Sequence, residues 1–275
     1  SWGAAIVMSK KGLENMDAGG LFFWQVGSAA MLSWFVLAIS RKKLPVTKKS
    51  ILAYSTGIFE PFLAYTFTLY GLKFISAGIT AVIFSLESVF ILILSVILFF
   101  VKINSPLHFI LLLTGAMAGS IMVALPDIND RIDNITGYIL IVAGVLSASF
   151  YVVISSRLIV NFEPVTLLTG QLTFSFILAC FFIVLTGTSL QLPVESVFLV
   201  FLSGILQYFL AFCFYLYSLR WIPVHIAGAM LYFIPLVALL LSWFFLQEDI
   251  SFIQGLGVFI TILCVYILNK KYAIE

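Results

Sequence analysis

Apolar residues come in long unbroken runs, and short polar breaks divide them into ten predicted helices. The runs cover 1–9, 18–40, 49–71, 75–101, 105–125, 136–158, 164–186, 195–218, 223–246 and 251–269. A helix needs ~20 residues to cross a bilayer, and all but the first run are near that length. The first run meets Lys10 and Lys11 early, so the sequence is expected to start inside its first helix. The longest polar stretch, "PDINDRIDN" at 126–134, falls near the midpoint. The pattern predicts an all-α, polytopic membrane protein with ten transmembrane helices.

The basic residues set an expected orientation, because short cytoplasmic loops collect Lys and Arg. Counted alternately, one set of loops holds Arg41, Lys42, Lys43, Lys48, Lys49, Lys102, Arg157, Arg220, Lys270 and Lys271. The other set holds Lys10, Lys11, Lys73 and Arg131. That imbalance predicts cytoplasmic termini, with a bacterial inner membrane as the expected setting. Glu14, Asp17, Asp127, Asp130, Asp133, Glu195, Glu248 and Asp249 fall in the opposite, external set.

The two halves resemble each other. A shift of 146 residues lays Ser9, Lys11, Asp17 and Gln25 over Ser155, Arg157, Glu163 and Gln171. A shift of 147 lays "GIFEPFLAYTFTLYGLKFI" (57–75) over "GILQYFLAFCFYLYSLRWI" (204–222), with Gly57, Phe62, Leu63, Ala64, Leu69, Tyr70, Leu72 and Ile75 identical. Five helices per copy is an odd number, so the second copy enters from the opposite side. The expected organisation is two inverted five-helix repeats, 1–125 and 136–275, joined by an external linker at 126–135. Inverted repeats are a common build of secondary transporters, whose solute site lies where the repeats meet.

Composition supports this and removes other classes. Apolar residues make up 63% of the 275-residue chain and charged residues 9%, far from the soluble average of roughly 45–50% and about 25%. A net charge of +2 without a basic aromatic patch gives no reason to expect a nucleic-acid partner. Cys180, Cys213 and Cys264 lie in apolar runs at unrelated spacings, which is neither a disulfide framework nor a metal site. No GxxxxGK[ST], HExxH or GxSxG occurs. The spacing of Asp127, Asp130 and Asp133 could suit calcium or a magnesium diphosphate, but without a second copy it reads as a solvated loop. No cofactor is expected; the partners are a small-molecule solute and the lipid bilayer. "GAMAG", Gly115 to Gly119, is a close-packing motif through which a homodimer is a further expectation.

Two acids lie deep in the predicted spans, Glu60 and Glu87. A mid-bilayer carboxylate costs from about 2.5 to over 10 kcal/mol, so both are expected to face the bundle interior. On a regular helix, Glu60 would share a face with Thr56, Ala64 and Phe67, and Glu87 with Thr80, Phe84 and Ile91. Gln207 is the neutral counterpart of Glu60 in the second copy. Tyr65, Tyr208 and Tyr232 bring hydroxyls that need partners inside a bundle. Trp2 and Tyr151 occupy the first helix of each copy, and Gln25 and Gln171 match across the duplication. The expected solute-binding set is Glu60, Glu87, Tyr65, Phe84, Gln207, Tyr208, Tyr232, Trp2 and Tyr151.

Ten helices in two copies, with "YTFTLYGLKFISAGITAVIFSLESVF" (65–90) and "FCFYLYSLRWIPVHIAGAMLYFIPLVALLLSWFFLQED" (212–249), resemble the drug/metabolite transporter superfamily and its EamA-type branch. In that family the fourth helix of a repeat commonly carries a Glu-Pro pair. Here the first copy has Glu87 with Ser88, and the second has Ile234 with Pro235. The resemblance implies export or exchange of small metabolites, often amino acids. An acid buried without a cation can be protonated in one state and charged in another, so Glu60 or Glu87 is the expected route of proton coupling or exchange. A passive channel and an intramembrane enzyme are the alternatives. The two histidines, His108 and His225, fall near predicted helix ends and offer an enzyme little to work with.

Overall fold

Every apolar run is mainly helical where its residues are described, and among the described residues there is no strand. The computed structural model describes residues 2–75, 80, 83–99, 105–124, 135–241 and 251–272. The α-helices are α1 (Trp2–Leu13), α2 (Ala18–Ile39), α3 (Lys48–Tyr54), α4 (Ala64–Gly71), α5 (Glu87–Phe99), α6 (Pro106–Ala124), α7 (Ile135–Leu158) and α8 (Pro164–Thr186). They continue as α9 (Val197–Gly204), α10 (Ala211–Ser218), α11 (Val224–Met230), α12 (Phe233–Leu241) and α13 (Phe252–Tyr272).

Among the described residues, six helical stretches are long and apolar enough to cross a membrane: Ala18–Ile39, Pro106–Val123, Ile135–Leu158, Pro164–Thr186, Val194–Ser218 and Phe252–Tyr272. The predicted spans 75–101 and 223–246 are only partly described, and the loops at 126–134 and 247–249 lie outside the described residues.

Several spans expected to be continuous are interrupted. The run 49–71 forms α3, a tight turn at Ser55–Ile58, a wide turn at Phe59–Leu63, and then α4. The cause is Pro61, which lacks an N–H and pushes the residue before it toward extended backbone. Glu60 accordingly leaves helical geometry, with φ −150° and ψ 130°. The helical face expected around Glu60 therefore does not exist. The run 195–218 has its own wide turn, Ile205–Leu210, between α9 and α10. The run 75–101 breaks at Ser85–Leu86, immediately before Glu87, and the run 223–246 breaks at Leu231–Tyr232. Each pair of breaks falls at matching positions of the two halves.

Contacts divide the chain into two units, Ser1–Tyr70 with Ile154–Arg220, and Gly71–Val153 with Trp221–Glu275. In the first unit, α2 and α8 lie side by side. Trp34 Nε1 donates to Thr173 Oγ1 at 2.9 Å, and Phe23 stacks near Phe176 with ring centroids 5.2 Å apart. Gly57 lies against the backbone carbonyl of Gln171, and Gly204 against that of Gln25, each leaving no room for a Cβ.

The charged loops of the first unit meet at one end. Lys42 Nζ lies 2.9 Å from Glu163 Oε1, Tyr217 donates to the same oxygen at 3.0 Å, and Arg220 donates to Phe162 O at 3.0 Å. Glu163 also caps α8 by accepting from Thr166 N at 3.2 Å. Burial works to raise the Glu163 pKa, but the hydrogen bonds from Lys42, Tyr217 and Thr166 outweigh it and hold the carboxyl below its ordinary value. A depressed carboxyl stabilises the fold above its ordinary pKa, and that contribution fades as pH falls through the folded value. Glu163→Gln therefore lowers Tm modestly at neutral pH, by a contribution under ~1 kcal/mol because the pair is partly solvated. The difference from wild type shrinks in acid and in high salt, as thermal melts at several pH values will register.

In the second unit, α6 packs on α13. A Cβ on Gly119 would meet Gly257 O at 2.7 Å, one on Gly257 would meet Gly119 O at 2.6 Å, and one on Gly115 would meet Cys264 Sγ at 2.9 Å. The small-residue face of "GAMAG" is thus packed against the chain's own last described helix, α13. The core around this pair comprises Leu92, Phe109, Leu113, Ala116, Ile226, Ala229, Tyr232, Val265, Leu268 and Tyr272.

Candidate functional site

The expected solute-binding residues divide between the units. Trp2, Glu60, Tyr65, Gln207 and Tyr208 belong to the first, and Phe84, Glu87, Tyr151 and Tyr232 to the second.

In the first unit the two wide turns carry the polar residues. Glu60 is buried at 7% exposure and Gln207 at 4%, within matching interruptions. Tyr208, fully buried, lies within electrostatic reach of Glu60. Its ring meets Tyr65 edge-on with centroids 4.6 Å apart and Phe22 at 5.9 Å. Trp2 stands edge-on to Phe212 at 5.3 Å and to Tyr215 at 5.6 Å, and its Nε1 is buried without a hydrogen-bond partner. Aromatic pairs prefer this geometry, and together the rings make a stiff apolar wall beside the turns.

A hydrogen-bond network that the sequence did not reveal ties these turns to the unit's centre. Gln25 Nε2 donates to Ser9 Oγ at 2.8 Å and to Ser203 Oγ at 2.7 Å. Ser9 Oγ donates onward to Gln207 Oε1 at 3.1 Å, and Tyr208 donates to Gln25 Oε1 at 3.4 Å. In the other half, Gln171 Nε2 donates to Thr56 Oγ1 at 2.8 Å and to Ser155 Oγ at 3.4 Å. Thr56 and Ser203 correspond under the 147-residue shift, as Ser9 and Ser155 do under 146. That doubled hydroxyl pattern was the available signal.

In the second unit, Glu87 opens α5 and is buried at 8% exposure. The expectation of a mid-helix position is corrected by the break at Ser85–Leu86. A helix's first turn favours a negative charge, because its unpaired N–H groups point that way. Ser149 donates to the Glu87 carbonyl at 3.4 Å, and Ser88 to Gly228 O at 2.7 Å. Phe84 packs on Ile75, Ile83, Ile141 and Val145. Tyr151 is fully buried. Tyr232 sits in the apolar core of this unit, with its hydroxyl beside Ser88. Among the described residues no group of three His, Cys, Asp or Glu could hold a metal.

Helices of membrane length and apolar composition define the class as a multi-pass membrane protein, and it carries buried carboxylates. The sequence profile of the EamA-like transporter family matches residues 1–125 and again 135–270, so the chain belongs to that family, within the drug/metabolite transporter superfamily. It is a membrane transporter of small solutes. An uncharacterized transporter of Archaeoglobus fulgidus is 25% identical over 218 residues, 79% of this chain and 77% of that protein. A crystal structure of a protein 14% identical to this chain superposes with a TM-score of 0.80, covering 100% of this chain and 95% of the other. That likeness establishes the shared fold.

Proposed function

We propose that the chain is a secondary carrier of small amino-bearing metabolites, amino acids foremost, working by alternating access between two inverted five-helix repeats. In this reading the repeats are 1–125 and 136–275, ten helices cross a bacterial inner membrane, and both termini are cytoplasmic. The observation that carries it is Glu60, a buried carboxylate where Pro61 interrupts a helix, matched by neutral Gln207 in the corresponding turn. Interrupted helices form the solute and ion sites of many carriers, because freed backbone groups can serve as ligands. A carboxylate opposite an amide suits a solute with an ammonium group and a second polar group. Tyr65, Tyr208 and Trp2 supply flat apolar contact. Glu87, at a helix start in the second unit, is the second chargeable site and a candidate for coupling to protons or for exchange.

A thermal-shift screen of amino acids, amines and carboxylates tests this on purified protein. A ligand that binds only the folded state at a hundred times its Kd stabilises by ~2.7 kcal/mol. Amino-bearing solutes are expected to raise Tm, and Glu60→Gln is expected to lose the shift. A shift from carboxylates alone, or one that Glu60→Gln retains in full, contradicts the reading.

A further inference from the structure

We propose that Gln25 and Gln171 are positioning residues, a matched pair of amide clamps that hold the two interrupted helices in the shape that presents Gln207 and Glu60. The proposal rests on the reading of Glu60 and Gln207 as solute contacts, but its structural half stands apart from transport.

The sequence shows only that the two glutamines match across the duplication. Both are fully buried, and each amide nitrogen spends its two N–H groups on protein hydroxyls. Neither has a donor left for a ligand. The hydroxyls they hold stand at the entries to the wide turns. Ser203 precedes Gly204 and the turn Ile205–Leu210, and Thr56 precedes Gly57 and the turn Phe59–Leu63. Each hydroxyl in turn donates a hydrogen bond to the carbonyl three residues back, Ser203 to Val200 O at 2.8 Å and Thr56 to Ala53 O at 2.7 Å. The bond directions are therefore consistent along both chains: amide, hydroxyl, backbone. The same three-part device occurs twice, with each glutamine reaching from one half of the sequence to the interrupted helix of the other. Ser175 adds a bond to Gly57 O at 2.7 Å, and Ser28 one to Phe201 O at 3.3 Å. A break in a membrane helix is tolerated only where neighbours satisfy the backbone or polar groups it frees, and these are such neighbours.

The two clamps differ at one point. Ser9 extends the first to Gln207, and Tyr208 closes on Gln25, whereas the second holds the turn that carries Glu60 and Pro61. Loosening Gln25 disturbs the neutral turn, and loosening Gln171 disturbs the ionisable one.

Amide hydrogen exchange on the full-length protein in detergent tests this. Gln171→Leu is expected to speed exchange across 57–63 about tenfold or more while leaving 204–210 within about twofold; Gln25→Leu does the reverse. Thr56→Val and Ser203→Val, which keep the shape and remove the acceptors, give the same split if the leucine variants fold poorly. In liposomes, Gln171→Leu raises the apparent KM and alters the pH profile, whereas Gln25→Leu raises KM with the pH profile kept. Exchange that rises in both turns together, or in neither, overturns the proposal. Because exchange needs no solute, clamps that work in a chain that moves no amino-bearing solute would indict the functional reading alone.

Discussion

Liposomes bearing Glu60→Gln are expected to lose transport by about tenfold or more, and the residual flux varies less with pH between about 5 and 8 than wild type. The substitution keeps the shape of the side chain and removes only its ability to carry charge. Glu60 is 7% exposed, and its backbone is held extended by the proline that follows. The turn should therefore survive the change, and a Tm close to wild type is the control. A solute that carries a positive charge to this depth needs a compensating negative one, and removing one partner of a buried charged pair costs on the order of 2–5 kcal/mol. Glu87→Gln is expected to change the pH dependence with a smaller loss of rate, because a glutamine in the first turn keeps the packing and loses the favourable charge at the helix start. Normal transport by both variants across that pH range removes both residues from the mechanism.

The second large effect is on stability. Gly57→Ala and Gly204→Ala each put a methyl group into backbone that has no space for it. The new carbon at 57 would meet Gln171 O and then Ser175 Oγ at 2.9 Å, and that at 204 would meet Gln25 O, Ser28 Oγ, and Gln25 Cα at 2.6 Å. The obstacles are mostly main chain, which cannot swing aside as a side-chain tip does. Overpacking of this kind costs about 1–3 kcal/mol, a fall in Tm of roughly 2–10 °C. Gly255 is the control: it lies in α13, and a Cβ there meets nothing within 4 Å. Gly255→Ala should be neutral or slightly stabilising, since alanine is the better helix former. Equal effects at all three glycines would mean that close approach at 57 and 204 is unimportant.

Helices, depth of the acids and duplication were legible in the sequence, because each depends on composition or on identity at a fixed shift. The interruptions were less so. Hydropathy stays high through "IFEPFLAY" although the backbone turns at Glu60, and only Pro61 betrays it. At Ser85–Leu86 and Ile205–Leu210 no proline gives warning, because neighbouring helices decide the local geometry. Gln25 and Gln171 matched across the copies, yet a matched polar pair in apolar spans reads equally as a ligand contact or a brace. Burial and the direction of the hydrogen bonds separate the two. The "GAMAG" face gave its close-packing role, but a sequence of one chain does not say which helix packs there.

The most direct measurement is counterflow in liposomes. Vesicles holding purified protein are loaded with an unlabelled amino acid that raises Tm, then diluted into a trace of the labelled compound. The account predicts transient accumulation of label above equilibrium, saturable on both sides and sharply reduced by Glu60→Gln. Uptake that rises linearly with concentration and gains nothing from internal amino acid would identify a passive pore and contradict the carrier.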